Sequence, residues 1–400
     1  MKSGWSIKKI GDICDVMTGG TPSKSKPEYF GGDIKWLVSG DIHQGEIFDC
    51  EGRITEAGMR DSNAKILPTN SVMMALNGQG KTRGTVALLR TEATCNQSLV
   101  SITPKDPLRL LPEYLYANLH GRYQEIRRMT GDTGNDRRGL NMGLVKGIGL
   151  PIAPVAEQRR IVNILDEAFD GIATAKATAE KNLQNARAVF ESHLGLIFTE
   201  IGSGWVNAVI GNCIRFIDYR GKTPVKTAQG LRLITAKNVK MGFLQENPME
   251  FIAPENYDSW MTRGIPRKGD VLFTTEAPLA NVAQLDTDEK VAFAQRVIIM
   301  QPDKAKLEST FLKYLLLSNP VQQRIHAKGT GATVKGIKAS LLKQIEIAFP
   351  KSLGEQRGIV SKLNDLREET QRLESIYQRK LAALDELKQS LLHQAFSGVL

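Results

Sequence analysis

"EQRRIVNILDEAFDGIATAKATAEKNLQNARAVF", residues 157–190, and "EQRGIVSKLNDLREETQRLESIYQRKLAALDELK", residues 355–388, decide the fold. Each follows an apolar-Pro segment, "IGLPIAP" or "IEIAFPK", and each opens on Glu-Gln-Arg. Pro then disappears and Gly becomes rare, leaving Ala, Leu, Glu, Lys, Arg and Gln, the strong helix formers. The apolar positions of the first segment are Ile161, Leu165, Ala168, Ile172, Ala175, Ala179, Leu183, Ala186 and Phe190. Those of the second are Ile359, Leu363, Leu366, Thr370, Leu373, Tyr377, Leu381, Leu384 and Lys388, each 198 residues later. Steps of four and three make the seam of a coiled coil, and the extra four around Ala179 and Tyr377 locally unwinds it. Small Ala residues in one seam suit larger Leu and Tyr in the other, so the two helices are expected to pair with each other.

The repeat extends outward from these helices. Gly4-Trp5 recurs as Gly204-Trp205, Ile10-Gly11 as Ile210-Gly211, and Thr21-Pro22 as Thr223-Pro224. "CNQSLVSITP" (95–104) lines up with "FAQRVIIMQP" (293–302), and "IKWLVSGDIHQG" (34–45) with "LRLITAKNVKMG" (231–242). Ahead of each helix lie short β-branched and aromatic runs broken by Gly, Pro and Asn, the texture of a β-rich α+β domain. The sequence therefore predicts an α+β fold, a tandem pseudo-repeat of two such domains separated by two long helices. The expected boundaries are 1–156, 157–203, 204–354 and 355–400. If the second domain has its ends close together, the second helix starts where the first stopped, and the pair is an antiparallel coiled coil.

The formal net charge of +10 is unevenly placed. Residues 157–200 carry five Lys/Arg and seven Asp/Glu, residues 355–400 carry seven of each, and the remaining 310 residues therefore carry +12. A basic excess confined to the globular parts suits a polyanion such as nucleic acid. No run approaches the roughly 18 apolar residues of a membrane helix. "MKSGWSIKKIGDI" has no apolar signal core, so a cytoplasmic location without membrane contact is expected. Cys14, Cys50, Cys95 and Cys213 include no CxxC pair and are expected to be buried free thiols rather than a metal site or disulfides.

Catalytic readings fail one by one. "ALNGQGKTRG" (75–84) satisfies a relaxed phosphate-loop pattern, but a helix should follow its Lys81-Thr82. Here "RGTVALL" reads as a second strand of a hairpin, and the repeat counterpart "LFTTEAPLANVAQL" has no Gly-Lys-Thr. Asp166 of "IVNILDE" lies within the helix, on its solvated face. Asp270 with Asp288-Glu289-Lys290 could hold Mg²⁺ and activate water, yet the first half has Ser71 where Asp270 stands. The five histidines are scattered, no FxGxG is present, and "SNPVQQ" lacks an aromatic to stack on a flipped base. No catalytic or metal constellation remains.

What remains is a set of polar loop residues recurring at matched places. The first half offers Ser23, Lys24, Lys26, Asp41, His43, Asn77, Gln79, Lys81, Arg83, Asn96, Gln97, Thr133, Asn135, Arg137 and Arg138. The second offers Arg220, Lys222, Lys226, Lys237, Asn238, Lys240, Asn281, Gln295, Arg296, Thr330, Thr333 and Lys335. Arg and Lys suit guanine edges and phosphates, Asn and Gln suit adenine edges, and differing identities in the two halves fit two readers of different sequences.

With "TGGTPSKSKPEYFGGDIKWL" and the twice-used apolar-Pro…Glu-Gln-Arg segment in view, the whole chain resembles the specificity subunit of type I restriction-modification systems. That resemblance implies a non-catalytic subunit with two target-recognition domains, each reading half of a split site in double-stranded DNA. It implies helices that set the gap and dock two methyltransferase subunits, with restriction (motor) subunits joining them. S-adenosylmethionine, ATP and Mg would belong to those partners, and no cofactor to this chain. "DYRGKTPVKTAQGLRLI" (218–234) departs from the pattern, being shorter and lacking the Trp of the first copy. The rival readings are a stand-alone two-site DNA-binding or architectural protein, and a P-loop or Mg-dependent nuclease.

Overall fold

The computed structural model describes residues 4–78, 80–131, 139–219, 223–331 and 335–400. Two β-rich α+β domains alternate along the chain with two helices of 45 residues, Val155–Thr199 and Leu353–Ser397. Both helices start two residues before the expected position. Pro154 explains the first of these, since its carbonyl accepts from the amides of Glu157 and Gln158, both at 2.9 Å, and so turns the strand into the helix. The chain divides into two compact units, residues 1–179 with 379–400, and residues 180–378. Each unit holds one globular domain, the near part of one long helix and the far part of the other.

In the first unit a five-stranded sheet runs in the order Cys14–Thr18, Leu99–Pro104, Val72–Ala75, Val86–Leu89, Glu46–Ile47. In the second a four-stranded sheet repeats that order as Ile214–Asp218, Val297–Pro302, Val271–Thr274, Val282–Gln284. Buried apolar runs explain the central strands: every residue of Val72–Ala75, Val86–Leu89 and Val271–Thr274 is buried. A three-stranded sheet flanks each larger one, with Phe30–Leu37 or Leu231–Ile234 in the middle. A two-stranded ribbon then ties each domain's start to its end, Ser6 opposite Ile152 in one and Trp205 opposite Pro350 in the other. This ribbon is the physical form of the closed ends inferred from sequence.

The helices pack antiparallel within each unit. In the first, the Lys388 ammonium lies 4.7 Å from the centre of the Phe169 ring, and Lys176 pairs with Asp385. In the second, the Arg367 guanidinium lies 5.6 Å from the Phe190 ring, and Arg187 pairs with Glu374 at 2.9 Å. The 198-residue offset carries each contact of one unit onto a contact of the other. Both aromatics and both ion-pair cations come from the first helix; both π-bound cations and both acids come from the second. Ile161, Leu165, Ile172, Ala179 and Leu363 are buried, and Ala168, Leu183, Ile359, Leu366, Leu373, Tyr377, Leu381 and Leu384 are half-buried.

The helix ends enter the domain cores. Ile161, Leu165, Leu392 and Ala395 join Tyr114 and Leu115 in the first unit, while Leu194, Phe198 and Leu363 join Phe311 and Leu312 in the second. Gln158 and Gln356, the middle residues of the two Glu-Gln-Arg motifs, are both fully buried. Gln158 accepts from the Leu111 amide at 2.9 Å and donates to the carbonyls of Arg109 and Ala153, both at 2.8 Å. Gln356 accepts from the Glu308 amide and donates to the carbonyls of Lys306 and Pro350, all at 2.8 Å. Each glutamine therefore clamps three backbone groups, one of them, the Ala153 or Pro350 carbonyl, in a buried bond.

Candidate nucleic-acid interface

Three of the loops that sequence reasoning selected meet at one end of the central strands of each larger sheet. In the first unit the Leu76 amide donates to the Ser98 carbonyl at 2.8 Å, and the Leu140 amide to the Leu76 carbonyl at 2.9 Å. The hairpin tip, the 96–98 turn and the 139–140 segment are thus tied together. The Gly19-Gly20 pair presses onto this group: a Cβ on Gly19 would lie 1.8 Å from the Cys95 carbonyl oxygen, and one on Gly20 2.6 Å from the backbone of Asn63. Only glycines fit there, which accounts for the doublet in "TGGTP". The Trp36 indole donates to the Gly20 carbonyl at 3.0 Å, and the Thr21 hydroxyl donates to the Gln97 side-chain carbonyl. Asn77 and Gln97 are exposed on this frame, while Asn96 caps its own turn by accepting from the Ser98 amide.

The other first-half candidates divide. Ser23 and Lys24 are exposed, and Lys26 is held by the Tyr29 hydroxyl at 2.7 Å. Asp41 accepts from the Val38 amide and so shapes its turn. His43 contacts Thr82 at 3.1 Å, and the Lys81 carbonyl accepts from the Tyr123 hydroxyl. His43, Lys81, His120 and Tyr123 line a cavity of about 250 Å³ beside Gln389 of the second helix. Burial and the charge of Lys388 push the His120 imidazole down to about 4, so it is neutral there. Arg83 is buried, with a guanidinium nitrogen 3.5 Å from the Gly131 carbonyl. Gln79, Thr133, Asn135, Arg137 and Arg138 lie outside the described residues.

The second unit repeats the frame. The Thr275 amide donates to the Arg296 carbonyl and the Ile337 amide to the Thr275 carbonyl, both at 2.9 Å. Arg296 and Lys335 are exposed and Gln295 half-buried, while Thr330 is bridged to Gly336. Lys226 pairs with Glu250 at 2.7 Å, Lys237 reaches the same carboxylate at 4.0 Å, and Lys240 is half-buried. Asn238 departs from expectation. It is 1% exposed, and its side chain serves the Thr235 amide and hydroxyl and the carbonyls of Gln245, Glu246 and Pro248. Its hydrogen-bonding capacity is used inside the loop, leaving no edge to offer a base. Asn281 is similarly engaged with the Val239 carbonyl. Arg220, Lys222 and Thr333 lie outside the described residues. Sequence reasoning missed Glu276, whose carboxylate lies 2.9 Å from Arg296 at the centre of this frame. Aligning the repeats places it opposite Asn77, and that was the available signal.

Neither constellation considered for the alternative chemistries comes together among the described residues. The strand before Lys81-Thr82 runs into an antiparallel hairpin, Val72 opposite Leu88, with no helix following. Asp270 is buried and accepts from the Arg267 amide and Gln301, whereas Asp288 pairs with Lys268 at the surface. All four cysteines are buried and free, and burial drives Cys14 and Cys95 up to about 12. Among the described residues there is no group of three or more metal-ligating side chains, and no helix is long and apolar enough to cross a membrane.

The sequence profile of the type I restriction modification DNA specificity domain matches residues 2–184 and 218–380. The type I restriction enzyme EcoR124I/EcoR124II specificity subunit of Escherichia coli is 27% identical over 195 residues, 48% of each chain. The MjaIX specificity subunit of Methanocaldococcus jannaschii is 30% identical over 179 residues, 44% of this chain and 40% of that protein. The chain thus aligns with about half the length of these two curated relatives. A solved structure described as the basis of complex assembly and conformational transition of the type I R-M system superposes with a TM-score of 0.80 at 18% identity. It covers 99% of this chain and 98% of that one, a likeness of fold.

Proposed function

The chain belongs to the family defined by the type I restriction modification DNA specificity domain, and from that premise we propose that it is the sequence-reading, non-catalytic subunit of a type I restriction-modification complex. Each globular domain reads one half of a bipartite site in duplex DNA. The helix pair sets the gap between the half-sites and docks the methyltransferase subunits, with restriction subunits joining them. S-adenosylmethionine, ATP and Mg²⁺ act in those partners. The observation that carries this reading is the loop frame built twice with the same backbone hydrogen bonds and different side chains. One scaffold with two sets of exposed side chains suits two half-sites of different sequence.

Val189 and Leu387 add support for docking. They are repeat equivalents on the two helices, 50% and 46% exposed, and so offer a matched apolar contact on each helix. The decisive experiment is selection from randomised duplex DNA by this chain co-purified with its methyltransferase. A split motif with a fixed unsequenced gap is expected. A single continuous motif, or no enrichment, would overturn the reading.

A further inference from the structure

The two loop frames correspond in their backbone hydrogen bonding and differ in the side chains they carry. Leu76–Ser98 and Leu140–Leu76 in the first unit correspond to Thr275–Arg296 and Ile337–Thr275 in the second. Within that frame Asn77 and Ser98 of the first unit stand where the second has Glu276 and Arg296. A glycine floors both pairs: a Cβ on Gly139 would collide with the Asn77 amide oxygen, and one on Gly336 would lie 3.2 Å from the Glu276 Cβ. The pair is thus one place where a shared backbone frame carries different polar side chains.

Resting on the proposed reading of bipartite DNA, we infer that Arg296 specifies a guanine in the second half-site and that Glu276 is its positioning residue. The Arg296 backbone takes a left-handed conformation, φ 76°, unusual outside glycine, and its carbonyl is anchored by the Thr275 amide. Its Nε lies 2.9 Å from a Glu276 carboxylate oxygen. The ion pair holds the Nε side of the guanidinium against the carboxylate, and its two terminal nitrogens face away to donate to guanine O6 and N7, the bidentate geometry arginine provides. Arg296 and Glu276 are 49% and 43% exposed, so the pair is open to a partner. The Glu276 backbone is bridged to Gly336, which fixes the position from which its side chain reaches Arg296.

The test repeats the duplex selection with full-length variants in the methyltransferase complex. Arg296→Lys removes the fork and keeps the charge; Glu276→Gln removes the brace. The double variant Glu276→Asn with Arg296→Ser installs the first unit's pair. Each should lower preference for G·C at one position of one half-site by about 10- to 100-fold, the discrimination expected of a single bidentate contact, and leave the other half-site unchanged. An unchanged motif in Arg296→Lys, or equal flattening of every position in that half-site, would overturn the assignment. So would loss in Glu276→Gln without loss in Arg296→Lys, because the carboxylate would then be the reader. A wild-type complex that selects no split motif would overturn the proposed function and this inference with it.

Discussion

Gln158 and Gln356 show how one residue type can seat a helix on its domain. Replacing either by Leu keeps the volume and strips partners from one buried and two partly buried backbone groups. An orphaned buried group costs about 1–3 kcal/mol, so each variant should lose about 1–3 kcal/mol, read as the urea unfolding midpoint. A loss below about 0.5 kcal/mol would mean the clamp is dispensable. The motif was visible in the sequence as a repeated Glu-Gln-Arg, but two of each glutamine's three partners lie about fifty residues upstream and only the fold joins them. The same limit hid Glu276, about twenty residues from Arg296, and made Asn238 look like a base reader when it plugs a loop. His120 carries a pH dependence. Its folded value of about 4 lies below the ordinary 6.5 because burial and Lys388 oppose its charging. The unfolded chain therefore binds that proton first. Stability is full above about pH 6.5 and falls as pH drops toward 4, by up to about 3 kcal/mol. Comparing unfolding midpoints at pH 7.5 and 5 for wild type and His120→Phe should show a smaller acid loss in the variant.

At the scale of elements, the seam was the most legible feature, because a period of four and three is local and needs no partner to be recognised. Which helix pairs with which is decided by charge and size together. If the first helix met a second copy of itself in the same antiparallel register, Lys176 would face Arg187. If the second helix did so, Glu374 would face Asp385 and Arg367 would face Lys388. The observed pairing alone opposes cation to acid at both ion pairs. Reversing Lys176 and Glu374 together (Lys176→Glu, Glu374→Lys) puts like charges opposite each other in both units. These pairs are largely exposed, so the expected destabilisation is about 1 kcal/mol and should shrink in high salt. Adding Asp385→Lys and Arg187→Glu restores opposite charges and should recover the wild-type midpoint. Failure to recover it would remove charge as the basis of pairing and leave the Ala-against-Leu seam.

At the scale of the whole molecule, duplication gives each activity two places to act. Val189→Glu or Leu387→Glu should each cost one methyltransferase subunit, and the two together both, read as the mass of the purified complex. Retention of both copies in the double variant would move docking elsewhere. The gap between half-sites tests the helix pair itself. Ala179 and Tyr377 are repeat equivalents, and the contacts of each unit lie on one side of them: Phe169–Lys388 and Lys176–Asp385 in one, Arg187–Glu374 and Phe190–Arg367 in the other. Four residues inserted after both positions leave every one of these contacts in register while lengthening the pair. At about 1.5 Å per residue the added length is about 6 Å, or roughly two base pairs at about 3.4 Å each. The selected motif should keep both half-site sequences and widen its gap by about two base pairs. Four residues inserted near Ala179 alone should also lengthen the gap and leave both half-site sequences unchanged. A double insertion that binds DNA with the original gap would show that something other than the helix pair measures the distance.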